Sequence, residues 1–305
     1  MAMKPALILL SVAAAMAGAV GVTTSRSRAG PISFSDLLGR TRPVADHRIA
    51  YGPGPQQFGE LWLPAAPGPH KVVVLIHGGC WLADLPGLEL MTYAADDLRR
   101  RGFAVWNIEY RRLGHVGGGY PGAFQDVAHG VDFLRDLART YPLDLGKIVL
   151  VGHSAGGHLA LWDAARPRLP KTSGLAGGAP LPITGEVTLA GIDDLEAYRS
   201  SGPDACGGPA TIDQLVGAGQ RGAADLYADT SPPALLPIGV RQVIISGELD
   251  PIVPEPFGRD YAAKARAAGD QTEIMDIPGA GHFELIDPRS TAWRTIAPVI
   301  ERLSR

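Results

Sequence analysis

The stretch KIVLVGHSAGGHLALWDAA, residues 147–165, decides how this chain folds. Lys147 to Val151 is an apolar, β-branched run of strand length, and from Gly157 the apolar spacing becomes that of a helix. Between them, Gly152-His153-Ser154-Ala155-Gly156 leaves no room for a loop, so strand passes to helix in one tight turn that the glycines permit. A serine at the apex of that turn stands above a sheet edge at a helix N-terminus, where the positive end of the dipole favours a developing negative charge.

The same alternation runs through the chain from about Val44. Strand-like runs fall at Phe58 to Leu63, Lys71 to Ile76, Ala104 to Tyr110, Lys147 to Val151, Val187 to Ala190, Gln242 to Ser246 and Glu273 to Ile277. Helical spacing falls at Gly87 to Arg101, Phe124 to Thr140, Gly157 to Ala165, Pro256 to Ala268 and Ala292 to Leu303. Several strands are continuously apolar, as doubly covered strands must be. The pattern predicts an α/β fold, a mostly parallel sheet with helices on both faces, as one domain over residues 30–305. Residues 195–236, broken by Gly202, Pro203, Gly207, Gly208 and Pro209, are too long and irregular for a loop and read as a small lid of short helices.

At 305 residues the chain can bury a sizeable core, and a net charge of -3 gives it no basic field for nucleic acid. Residues 1–29 begin with one lysine, Lys4, then an apolar run from Pro5 to Val22, then Arg26 and Arg28. This is built as an export signal with a short linker, small residues at Ala15, Ala17 and Ala19 fitting signal cleavage. The expected location is periplasmic or secreted with no stable membrane partner after cleavage, the alternative being an N-terminal anchor. Two cysteines, Cys80 and Cys206, are expected to be free buried thiols, because a crosslink at Cys80 would tether the site. Sequence sets no oligomeric state, and no Cys/His cluster has metal-ligand spacing, so neither a metal nor a cofactor is expected.

A nucleophilic serine needs a base. Of eight histidines, His282 in Gly279-Ala280-Gly281-His282-Phe283 alone follows the last strand. His47, His70, His115 and His129 read as ordinary solvated histidines. Asp250, at the end of the strand QVIIS, is the expected acid, with Glu248 and Asp287 as competitors. Serine, acid, histidine is the chain order of α/β-hydrolases. His77-Gly78-Gly79-Cys80-Trp81 follows the strand VVVLI, and its glycines leave backbone amides uncovered. His77 reads as holding that loop by hydrogen bonds. Trp81 and Phe283 are expected to wall a small pocket.

HGGCW at 77–81, EYRR at 109–112, GGGYPGAFQDV at 117–127, GHSAGGHLAL at 152–161, SPPALLP at 231–237 and GAGHFELIDP at 279–288 occur in that order. In these the chain resembles the bacterial α/β-hydrolase esterases that include the kynurenine formamidase-like group, from about Tyr51 to the C-terminus. The resemblance implies a serine esterase with catalytic Ser154, Asp250 and His282. By analogy with H-G-G-G hydrolases, it implies oxyanion donors at the amides of Gly79, Cys80 and Ala155. Cys80 departs from the aromatic or glycine often found there. The expected partner is a small-molecule ester or amide. Rival readings are an arylformamidase, a small peptidase or amidase, and a non-catalytic binding module of the same fold.

Overall fold

A computed structural model describes Met1, residues 30–222 and residues 224–305; the expected export signal otherwise falls outside the described residues. Among the described residues eight strands form one sheet: β1 His47–Ala50, β2 Phe58–Trp62, β3 His70–Ile76, β4 Ala104–Ile108, β5 Leu143–His153, β6 Gly185–Leu189, β7 Gln242–Gly247 and β8 Thr272–Ile277. Their order is β1-β2-β4-β3-β5-β6-β7-β8. β2 runs antiparallel to both β1 and β4, and every other pairing is parallel. All seven expected strands are present. β4, β6 and β7 are buried at every position, so successive side chains on both faces are covered.

The helices are α1 Phe34–Leu38, α2 Thr92–Arg100, α3 Gly122–Asp132, α4 Leu134–Leu137, α5 Ala155–Ala164, α6 Leu195–Ser201, α7 Gly208–Leu215, α8 Glu255–Ala267 and α9 Thr291–Leu303. α2 packs on β4, α5 on β5 and β6, α8 on β7 and β8, and α9 on β6. Residues 31–305 form one compact unit. The expected helix over 124–140 is two helices, with Phe133 ending α3 and preceding α4. His70, expected in solvent, is buried as the first residue of β3.

This topology places the site. The chain winds one way from β3 to β4 and the other way to β5, so the loops leaving β3 and β5 part at the same end of the sheet and open a crevice. The β3 loop is HGGCW and the β5 turn carries Ser154. Asp250 and His282 leave the same end, after β7 and β8. Residues 195–236 hold α6, α7 and short 3₁₀ turns at Asp204–Cys206 and Pro232–Leu235.

Candidate active site

Ser154 has φ 56° and ψ −122°, a conformation a non-glycine residue rarely adopts. The turn is enforced from both sides: a Cβ on Gly152 would run into the backbone of Gly156, and one on Gly156 into the carbonyl oxygens of Ile76 and His77. The elbow is thereby pressed against the end of β3, with Ser154 capping the ten-residue helix α5. Strain of this kind survives only where the surroundings over-determine it, and here the Ser154 amide donates to Leu189 O at 2.9 Å while its carbonyl accepts from Gly157 and Ile192.

His282 donates from Nδ1 to Asp250 Oδ2 at 2.6 Å, which frees Nε2 to accept a proton. Asp250 is held in turn, its Oδ1 accepting from the amides of Ile252 at 2.8 Å and Val253 at 3.0 Å. Both competing acids are used elsewhere. Glu248 accepts from the Gly279 amide at 2.7 Å, and Asp287 forms a two-bond pair with Arg40 at 2.6 and 2.8 Å. Ser154 and His282 line one cleft of about 130 Å³. Among the described residues no hydrogen bond yet joins them, and such bonds commonly tighten only when substrate arrives.

His153 is a feature the sequence did not single out. Its Nε2 donates to the carbonyl of His282 at 3.1 Å, and its ring lies 4.5 Å from the His282 ring, tying elbow to base. Burial, with the nearby His282 charge, holds its imidazole well below the usual range, so it stays neutral beside the base. His158, one turn into α5, is likewise pulled by burial to about 4 and is bonded to Thr230 O at 2.7 Å.

The β3 loop is built from three successive positive φ values, Gly79 at 92°, Cys80 at 51° and Trp81 at 57°. It is fastened by Leu82 N to Gly79 O at 2.8 Å and Leu113 N to Trp81 O at 2.7 Å. Among the described residues, the amides of Gly79, Cys80 and Ala155 donate to no protein acceptor. Beneath the loop, His77 faces two acceptors, Gly78 O at 2.7 Å and Glu109 Oε1 at 2.9 Å, so it holds the loop as expected. Burial alone would raise the Glu109 carboxyl, but the His77 charge and hydrogen bond, with Arg112, overcome it and bring it down to about 2.

Two expectations are corrected here. Cys80 and Cys206 are not free thiols; they form a disulfide that joins the β3 loop to the 195–236 segment across 126 residues. Trp81 does not wall the cleft. It is wholly buried, its ring edge-on to His158 at 5.5 Å, because its positive φ turns the side chain into the core. Phe283 does line the cleft, with Leu85, Leu90, Ile252 and, unforeseen in the sequence, Phe34. A larger hollow, about 880 Å³ between residues 51–57 and 111–116 with His129, contains none of these groups and, among the described residues, is lined by no Ser, Thr, Cys or Lys. Among the described residues no cluster of His, Cys, Asp or Glu gathers as a metal site, and no helix is long and apolar enough to cross a membrane.

The sheet, the serine elbow and the histidine–aspartate pair after the last two strands define an α/β-hydrolase. The chain belongs to the BD-FAE family, of α/β-hydrolase-type esterases, whose model matches residues 60–264. It is 29% identical over 119 residues to a probable isoprenylcysteine alpha-carbonyl methylesterase of Arabidopsis thaliana, a match covering 39% of this chain and 24% of that protein. A rice (Oryza sativa subsp. japonica) protein of the same description is 30% identical over 115 residues, covering 37% of this chain and 26% of its own length. The chain thus spans about a quarter of the curated relatives it matches. In fold it is similar to esterase B from Lactobacillus Rhamnosis, with TM-score 0.74, 20% identity, and coverage of 88% of this chain and 90% of that one. It is also similar to a carbohydrate esterase from gut microbiota, with TM-score 0.71, 20% identity, and coverage of 90% and 99%.

Proposed function

We propose that the protein hydrolyses small carboxylic esters through an acyl-enzyme on Ser154, with His282 as base and Asp250 orienting it. The observation that carries this reading is the Asp250–His282 bond of 2.6 Å, which presents Nε2 to the cleft that the strained Ser154 also lines. His282 takes the serine proton as Oγ attacks the carbonyl carbon. The tetrahedral oxyanion is met by the amides of Gly79, Cys80 and Ala155, and the collapsing intermediate expels the alcohol, which takes the proton back from His282. Water then attacks the acyl-enzyme by the same route and frees the acid.

Family membership and the esterase names of the structural neighbours support esters over other acyl compounds. The cleft supports small, uncharged ones: its volume is about 130 Å³ and no Lys, Arg, Asp or Glu lines it. The kynurenine formamidase-like resemblance keeps an N-formyl arylamine as the rival substrate. The test is fluorophosphonate labelling of Ser154, followed by rates on p-nitrophenyl acetate to octanoate, an N-formyl arylamine and a peptide amide. Labelling with fastest turnover of acetyl to butyryl esters supports the reading. No labelling would make the protein a binding module, and faster cleavage of the formamide would make it an arylformamidase. Residues 1–29 and a disulfide in the fold support export; N-terminal sequencing of the protein from cell fractions tests it, an intact N-terminus in the membrane fraction pointing instead to an anchor.

A further inference from the structure

We infer that Phe34 is a specificity-determining residue that closes the leaving-group side of the cleft; this rests on the ester-hydrolase reading above. Residues 31–42 are an arm laid across the base loop. Ile32 N donates to Glu284 Oε1 at 2.6 Å, while Glu284 Oε2 accepts from the Gly281 amide at 3.0 Å, so one carboxylate ties arm and base loop together. Pro31 covers Gly281, where any side chain would run into it. Arg40 grips Asp287 at 2.6 and 2.8 Å, and Tyr93 OH donates to Arg40 O at 3.0 Å.

These ties fix α1, which begins in a capping box between Ser33 and Asp36 and buries Leu37. They leave the Phe34 ring 38% exposed at the rim of the cleft, edge-on to Phe283 at 6.0 Å. Phe283 in turn lies edge-on to His282 at 5.0 Å. The side these rings occupy follows from the chemistry. When the tetrahedral intermediate collapses, the C–O bond to the alcohol breaks and its oxygen takes the proton from His282 Nε2, so the leaving group lies on the histidine's side. Phe283 and Phe34 stand there, and a longer alcohol meets the Phe34 ring.

The experiment compares kcat/KM for acetate esters of lengthening alcohol, methyl to octyl, in the wild type, Phe34→Ala and Phe34→Trp, with p-nitrophenyl acyl esters as the comparison series. Phe34→Ala should raise the octyl-to-methyl ratio, by roughly four-fold for each methylene that gains apolar contact. Phe34→Trp should lower it, and the acyl-length ratio should move less in both. A mere folding defect would scale all substrates alike. An unchanged alcohol ratio in an active enzyme, or acyl and alcohol ratios moving together, would overturn the role of Phe34 alone. A wild type that cleaves no ester and takes no fluorophosphonate would overturn the ester reading and this inference with it.

Discussion

Ser154 and its partners were legible because each sits in a short motif at a strand end, and chain order did the rest. The acid was the open choice, and the geometry favours Asp250: it bonds His282, whereas Glu248 and Asp287 bond Gly279 and Arg40. Asp250→Asn should therefore cut kcat by roughly four orders of magnitude, since a wrong histidine tautomer costs about that much. Glu248→Gln should leave kcat near wild type, and Asp287→Asn should lower thermal stability more than turnover, through the released Arg40 arm. Steady-state kinetics and melting curves on the three variants separate these outcomes. A larger kcat loss in either competitor would redraw the triad. Ser154→Ala should lose on the order of a million-fold in rate and keep the fold. Retention of even a small fraction of turnover in a pure preparation would remove Ser154 as nucleophile. Trp81 and Phe34 were misread or missed for one reason. A side chain's direction at positive φ, and a contact between a chain's arm and its last loop, are not written in local pattern.

Strands with burial on both faces announce themselves as apolar runs, as β3 and β7 do, whereas β8, at one sheet edge and buried only at its two ends, was readable from its own apolar and β-branched residues. β1 was not: its four residues HRIA are largely exposed at the sheet edge, and they alternate too weakly to register. α1, at five residues, is barely more than one turn, and Phe133 divides a helical pattern that reads as continuous. The disulfide was hidden in the same way, because Cys80 and Cys206 meet only once the 195–236 segment folds back to bring their Cα atoms to 5.1 Å. It fastens the 195–236 segment to the very residue whose amide is proposed as an oxyanion donor, in a loop of three positive φ values. Cys206→Ser, or reduction of the wild type, should thus lower kcat by roughly ten-fold or more with little change in KM, approaching at most the roughly 10²–10³ that a wholly lost donor costs. Stability should fall by about 2–4 kcal/mol as the long loop is released. If the reduced enzyme keeps its full kcat while melting earlier, the bond serves the fold only.

The whole molecule carries a proton-linked weakness inside its sheet. Glu186, the second residue of β6, is completely buried, and neither of its carboxyl oxygens has a hydrogen-bond partner among the described residues. The Asp193 charge reaches it, and among the described residues Asp193 accepts a side-chain hydrogen bond from Thr188 at 3.2 Å. Burial, and after it the Asp193 charge, raises Glu186 well above the usual carboxylate range; burial outweighs the Thr188 bond and pushes Asp193 up to about 7. Both are therefore protonated in the folded chain at acid pH, where the unfolded chain has already begun to release its protons. The native state binds the extra protons, so stability is greatest on the acid side and falls as pH rises through the interval between the unfolded and folded values. For Asp193 that interval runs from the ordinary aspartate value of 3.8 to about 7, and Glu186 extends the decline further. A buried polar group without a partner costs on the order of 1–3 kcal/mol and an ionised one more, which is several degrees of melting temperature or more in a domain this large. Melting temperature measured from about pH 5 to 8 should then fall more steeply for the wild type than for Glu186→Gln/Asp193→Asn, whose neutral amides cannot ionise. The double variant should gain relative stability at the alkaline end, and parallel curves would show that these two acids are not what links this fold to pH.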